Sequence, residues 1–426
     1  MMNWIQKGRP DFHFAPKNGW INDPNGLIYD GEKYHLFAQH NPADTVWGPM
    51  HWLHATSRDL LHFEESGIAL YPCDLGMMFS GCAVIDSANT AGFGKDAMVL
   101  IFTLHGETET QGLAYSSDGI HFSLYKDNPV IKNPGSPDFR DPKVFWHTAD
   151  AEWKLVLAAG SSLQFYASKD LKNWQKTGEF GAAEKGPNGV YECPDLFSLK
   201  TPDGDEKWVL LASIGAPPDK GGERIQYFIG DYDGKIFRRT EEMCRLEAGK
   251  DNYAGATFSG TNDRLFLGWA ALPLYAGKVP CGSYRGCFTL PRKLSLIQTN
   301  VGLRLSAEPV FPDGKALKIK AYGAFEVSLS NSQGDDFTFG LSEDNFFYTD
   351  RTKAGASDFD ELFAAPSYGI TKTPRLMSGP FEMTLIIDHT LAEIFADQGT
   401  YVNTTLLFPT VPYTTLSIRG EAEEIK

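Results

Sequence analysis

The 426-residue chain has no run of 18 apolar residues, so no helical membrane span is expected. Its opening stretch, Met1-Met2-Asn3-Trp4-Ile5-Gln6-Lys7, lacks the apolar core of a secretion signal. Basic residues are outnumbered 54 to 39, for a net charge of −15. That balance argues against nucleic acid or an anionic membrane as partner. The six cysteines (Cys73, Cys82, Cys193, Cys244, Cys281, Cys287) include no C-x-x-C pair. Without a secretion signal they are expected to be free thiols, and the location is expected to be cytoplasmic. His35, His40, His51, His54, His62, His105 and His121 fit no metal-ligand spacing, and no glycine-rich phosphate loop occurs. No metal and no cofactor are therefore expected. Strong amphipathic helices are missing too.

What the chain has is aromatics (13%), 42 glycines and 25 prolines, a composition that suits an all-β protein with many turns. It also has a repeat. Ser57-Arg58-Asp59-Leu60-Leu61-His62-Phe63 matches Ser116-Ser117-Asp118-Gly119-Ile120-His121-Phe122 and Ser168-Lys169-Asp170-Leu171-Lys172-Asn173-Trp174, at steps of 59 and 52 residues. Strand-opening sites recur on a similar period at Asp23, Ser80, Asp141, Glu192 and Asp251, with steps of 57, 61, 51 and 59. Units of 50 to 60 residues holding several short strands predict propeller blades of four strands. Five starts predict a five-bladed β-propeller over 1–300. From about residue 318 a different alternation begins, in Phe325–Leu329, Phe337–Leu341, Glu382–Ile387, Ala392–Phe395 and Thr414–Ile418. It predicts a C-terminal β-sandwich over 301–426, with the boundary between 297 and 317.

Three of the repeated sites are carboxylates next to a proline: Asp23 in Asn22-Asp23-Pro24, Asp141 in Arg140-Asp141-Pro142, and Glu192 in Glu192-Cys193-Pro194. Asx-Pro units often only make turns. Three at matching positions, brought together around an axis, can instead cleave a glycosidic bond. That chemistry needs an ionised nucleophile and a carboxyl that gives and then takes a proton. The amides of Asn22 and Asn25 are expected to keep Asp23 charged. Arg140 is expected to pair with Asp141. The less polar neighbours of Glu192 are expected to raise its pKa.

The run Trp20-Ile21-Asn22-Asp23-Pro24-Asn25-Gly26, with Arg140-Asp141-Pro142 and Glu192-Cys193-Pro194-Asp195, resembles the signature of glycoside hydrolase family 32, the β-fructofuranosidases. Gln39, Trp47-Gly48-Pro49, Phe79-Ser80-Gly81, Gly268-Trp269 and Ala392-Glu393-Ile394-Phe395 add to the resemblance, which covers nearly the whole chain. It implies a five-bladed propeller followed by a sandwich. It implies Asp23 as nucleophile, Glu192 as acid/base and Asp141 as transition-state stabiliser. It further implies a fructosyl pocket lined by Asn22, Gln39, Trp47, Phe79, Ser80, Arg140 and Trp269, with Asp251 a weaker match. The expected activity is retaining hydrolysis of terminal β-D-fructofuranosyl units of sucrose, sucrose 6-phosphate or short fructo-oligosaccharides. The partner is then a small carbohydrate, and the oligomeric state is open. A fructosyltransferase of the same fold and a non-catalytic sugar-binding protein are the alternatives. Ile21, Cys82 and Ala270 depart from the family's commoner residues, which bears on fine specificity.

Overall fold

The computed structural model describes residues 9–181, 189–312 and 316–425. Five antiparallel sheets follow one another along the chain and then give way to an eight-stranded assembly. The innermost strands of the five blades are Gly19–Tyr29, Met77–Asp86, Phe139–His147, Val190–Lys200 and Tyr253–Thr257. In blades I to IV the next strands pair outward in chain order. Blade I also takes Tyr284–Arg285 in parallel against Gly19–Trp20. Blade V continues through Arg264–Trp269 and Arg292–Thr299 to Gly302–Pro309, its outermost strand.

The repeated Ser-x-Asp motif is the turn between the third and fourth strands. Ser57 Oγ accepts from the backbone N–H of Asp59 and Leu60, while Asp59 Oδ1 accepts from Leu61 and His62. Ser116–Asp118 and Ser168–Asp170 make the same kind of turn. Hydroxyl and carboxylate replace ladder partners for backbone donors that a tight turn would strand. The chain therefore reverses at the same place in three blades.

Each innermost strand also carries a β-bulge at one level. Asn22 and Asp23 together face Gln39, and the matching pairs are Phe79–Ser80, Asp141–Pro142, Cys193–Pro194 and Ala254–Gly255. Asp141, Cys193 and Ala254, first in their pairs, have positive φ (64°, 45° and 52°), a strained conformation for non-glycine residues. Bulges of this kind re-aim side chains at a rim. Five of them ring one axis.

The second assembly is organised by the 14-residue strand Leu317–Ser330. Its first half pairs with Phe381–Asp388 and its second half with Asp336–Leu341, while Thr415–Ile425 runs along its other edge. The alternating residues Ile319, Ala321, Phe325, Val327 and Leu329 point into a core with Phe337, Phe339, Phe347, Phe381 and Met383. This is the sandwich packing the period-2 pattern predicted. All six cysteines are unpaired, so Cys281 and Cys287 form no bridge. No helix among the described residues is long and apolar enough to cross a membrane.

Candidate active site

A cavity of about 650 Å³ opens on the propeller axis and takes side chains from all five blades. Blade I supplies Asn22, Asp23, Gln39 and Trp47, and blade V supplies Tyr253 and Trp269. Phe79, Arg140, Asp141 and Glu192 come from the three blades between. Ser80 is buried behind this wall and reaches the site through Asp23.

The bulges explain which groups meet. Asp23 stands at the same level as Ser80 of the next blade, and Ser80 Oγ donates to Asp23 Oδ2 at 2.5 Å. Asn22 Nδ2 donates to Asp23 Oδ1 at 2.9 Å, and Gln39 Nε2 approaches Oδ2 at 3.4 Å. Trp20 Nε1 in turn fixes Asn22 Oδ1 at 2.8 Å. Asp141 shares its level with Cys193, whose N–H donates to Asp141 Oδ2 at 2.9 Å. The Cys193 thiol lies 3.6 Å from both Asp23 and Asp141. Glu192 shares its level with Arg140 and Tyr253. Arg140 Nη2 donates to Glu192 Oε1 at 3.0 Å, and Tyr253 Oη donates to Oε2.

Two expectations change here. The repeated sites are equivalent only to within two residues: Glu192 aligns with Arg140, one position ahead of Asp141, and the fifth-blade counterpart is Tyr253, not Asp251. Asp251 is fully buried outside the pocket, bound by Arg351 and Tyr275 and by the N–H of Leu406 at 2.7 Å. Arg140 does not bond Asp141. Its Nη1 serves Asp138 (2.7 Å) and Glu109 (3.2 Å), while Nη2 serves Glu192. Both side chains line the pocket, and the Arg140 charge acts on Asp141 through space, but the bulge at Asp141 and the acids of neighbouring strands leave the guanidinium's hydrogen bonds to Asp138, Glu109 and Glu192.

Electrostatics follow burial. Desolvation pushes the Asp141 carboxyl up to about 7. The Arg140 charge opposes this, while Asp23 and Glu192 reinforce it. Burial also raises Asp23, and its bonds from Ser80 and Asn22 pull back toward the anion. The Asn22 amide thus limits the rise without cancelling it, while Asn25 does not bond Asp23: its Oδ1 accepts from the N–H of Gly81. Burial works against the Arg140 charge, but four surrounding carboxylates hold it firmly protonated.

Sequence reasoning missed Trp20, Glu109, Asp138, Cys193, Glu223 and Tyr253 as wall residues, and set His105 aside only as fitting no metal-ligand spacing. Trp20 and Cys193 sit inside the quoted motifs and were legible as neighbours, and Tyr253 lies two residues beyond Asp251. Glu109 opens the strand Glu109–Ser116, Glu223 precedes the strand Arg224–Tyr232, and neither carries a local signal.

Residues 13–309 match the N-terminal domain of glycosyl hydrolases family 32, and residues 300–426 match the family's C-terminal domain. The levanase of Bacillus subtilis is 36% identical over 94% of this chain, which spans 66% of that protein. An extracellular exo-inulinase of Aspergillus ficuum is 32% identical over the whole chain and 94% of its own length. A Schwanniomyces occidentalis β-fructofuranosidase, solved with fructosyl-erythritol, superposes with a TM-score of 0.87. That alignment has 30% identity and covers 99% of this chain and 95% of the other. With the propeller, the sandwich and the axial carboxylates in place, the chain belongs to glycosyl hydrolases family 32 and is a glycoside hydrolase acting on fructosides.

Proposed function

We propose that the enzyme removes terminal β-D-fructofuranosyl units with retention of configuration. Asp23 attacks the anomeric carbon, Glu192 protonates the departing oxygen, and Asp141 binds fructosyl hydroxyls more tightly as the transition state forms. The observation that carries this reading is the shared contact of Asp23 and Asp141 with Cys193, the residue next to Glu192. It gathers three carboxyl groups of different surroundings at the bottom of one pocket.

The division of labour follows from those surroundings. Asp23 has three side-chain donors besides the thiol, so the negative charge of a nucleophile is supported where it is needed. Glu192 keeps 26% of its side chain exposed, which suits a group that must meet a departing oxygen. Asp141 lies deeper, and its elevated pKa leaves a proton to share with a sugar hydroxyl near neutral pH. A wall contributed by every blade closes the pocket around its axis, which favours a chain end over a mid-chain segment. Sucrose, sucrose 6-phosphate and short fructo-oligosaccharides all present such an end. Fructosyl-erythritol, the ligand of the Schwanniomyces enzyme, presents the same unit.

The test is Glu192→Gln assayed on two substrates. Loss of a general acid is expected to slow sucrose hydrolysis by about 10²–10⁴-fold. Loss of fructose from an aryl fructoside, whose leaving group departs without a proton, should be much less affected in the first step. Equal slowing on both, or near wild-type rates on sucrose, removes Glu192 from the acid role. Proton NMR of the first-formed fructose reads retention directly.

A further inference from the structure

The pocket wall is unusually one-sided in charge. Asp23, Glu109, Asp138, Asp141, Glu192 and Glu223 contribute six carboxyl groups against a single guanidinium, that of Arg140. Both terminal nitrogens of Arg140 are occupied by carboxylates of the wall itself. Among the described residues no lysine lines the cavity. The cations nearest in sequence to its rim are each held by a neighbour. Arg224 donates to Gly222 O at 2.6 Å, Lys278 pairs with Asp360 at 2.7 Å, and Arg285 bonds Gly277 O.

Glu223 occupies a particular side of this wall. The N–H of Leu274 fixes its Oε2 at 3.0 Å, against the short helix Pro273–Ala276. Burial, reinforced by the charge of Glu192, raises the Glu223 carboxyl to about 7. Glu223 in turn helps to raise Tyr253, the donor to Glu192. In the fourth blade both Glu192 and Ile225 stand opposite Ser213, so Glu223, two residues before Ile225, lies on the acid/base side of the pocket wall. If Glu192 protonates the departing oxygen, the leaving sugar passes beside Glu223.

We propose that Glu223 is a specificity determinant: it confines the leaving group to uncharged sugars and makes a disaccharide phosphorylated on its leaving glucose a poor substrate. This inference rests on the proposed role of Glu192. A phosphate monoester carries a charge of about −1.5 to −2 near neutral pH. Above pH 7, where Glu223 is ionised, its carboxylate repels such a group in a pocket shielded from water, and the one guanidinium among the described wall residues is already engaged by carboxylates; the discrimination is therefore read at pH 8. Neutral sucrose and fructo-oligosaccharides meet no such opposition. Discrimination by an unfavourable contact is an ordinary route to specificity.

The experiment compares kcat/KM for sucrose and for sucrose 6-phosphate in the wild type, Glu223→Gln and Glu223→Lys. The wild type is expected to favour sucrose by about 30-fold or more, chiefly through KM for the phosphorylated substrate. Glu223→Gln should shrink that ratio about tenfold, whatever its effect on sucrose itself, and Glu223→Lys should shrink it further. Raising ionic strength from about 0.05 to 0.5 M should also narrow the wild-type ratio. Equal or preferential cleavage of sucrose 6-phosphate by the wild type overturns the proposal, as does a ratio that neither substitution moves. If Glu192→Gln also fails to slow sucrose hydrolysis, the fault lies in the reading of the acid; if it slows it, the fault lies with Glu223 alone.

Discussion

Two regions of this molecule bury carboxylates, and they treat them in opposite ways. Along the seam between propeller and sandwich every buried acid meets a cation. Asp251 meets Arg351, Glu247 and Glu393 meet Arg292, Asp388 meets His13, and Asp397 meets Arg375 at 2.7 Å. In the axial pocket Asp23 and Asp141 meet amides, a hydroxyl, a thiol and each other's field, while the one guanidinium serves other acids. The consequence is visible in their titration. Burial raises Asp23 and Asp141. At the seam burial pushes Asp388, Glu393 and Glu247 the same way; the cationic partners of Asp388 and Glu393 outweigh it and hold both below their usual range, while Glu247, which shares Arg292 with Glu393, stays raised. The completed pairs Asp251–Arg351, Glu393–Arg292 and Asp388–His13 fasten the two domains, while Glu247–Arg292 and Asp397–Arg375 each lie within one. Incomplete ones keep protons and charge available for chemistry, at a cost in stability.

The largest effect expected from this contrast comes from breaking a seam pair. Arg351 of the sandwich lies over the Phe363 ring at 3.8 Å and binds Asp251, Tyr275 and Leu406 O. Asp251→Asn leaves that guanidinium without its counter-charge in a dry site. A loss of about 3–5 kcal/mol is expected, read from urea unfolding at pH 7. The double variant Asp251→Asn/Arg351→Met removes both charges and should lose less than the single one. If it loses the sum of the two single effects, the pair is not a unit and the seam is held by something else.

The pocket should respond with the opposite sign. The Asp141 carboxyl is raised to about 7 in the folded chain from 3.8. Its stabilising contribution is therefore complete below pH 4 and is lost as pH rises through 7. Wild type at pH 8 carries the whole cost of burying that charge. Asp141→Asn carries none, and its Oδ1 can still accept from the N–H of Cys193. The variant should be more stable than wild type by about 2–4 kcal/mol at pH 8, with a smaller gain at pH 5, while activity collapses. A variant equally or less stable at pH 8 would show that the pocket's acids are as well compensated as those of the seam.

This contrast also marks how far the sequence could be read. The blade period, the sandwich strands and the three carboxylates that meet on the axis were legible because each rests on a local pattern: a turn motif, an alternation, a residue beside proline. Partners across blades were not. Adjacency suggested an Arg140–Asp141 pair, but bulge level matches Arg140 to Glu192 across the blades, and its hydrogen bonds go there and to Asp138 and Glu109. Counting the period to the nearest acid led to Asp251. The equivalent position holds Tyr253, a residue type the search for carboxylates passed over. Glu223 and Glu109 reach the wall from segments without any motif. Tertiary neighbours, and hence the charge balance of the pocket, lie beyond what spacing along a chain encodes.

The smallest of the expected effects tests the seam by pH alone. His13 is buried, with Nδ1 2.8 Å from Asp388 and Nε2 3.6 Å from Glu393. Burial by itself would lower its pKa, but the bonds and charges of these two acids outweigh it and raise the imidazole to about 9 from 6.5. A base raised on folding stabilises the fold fully below its unfolded value, so the contribution is intact below pH 6.5. It disappears as pH rises through 9, when the folded ring loses its proton and leaves two acids facing a neutral partner. About 2–3 kcal/mol should be lost between pH 6.5 and 9.5 on this account. Tyrosines and thiols also titrate in this range, so the measurement is a difference. His13→Gln keeps a donor for Asp388 but cannot be charged, and its urea midpoint should vary less with pH than the wild type's. Its curve should meet the wild-type curve at the alkaline end and fall below it at the neutral end. Parallel curves would show that His13 is neutral in the fold, and that the seam, like the pocket, tolerates an acid without a cation.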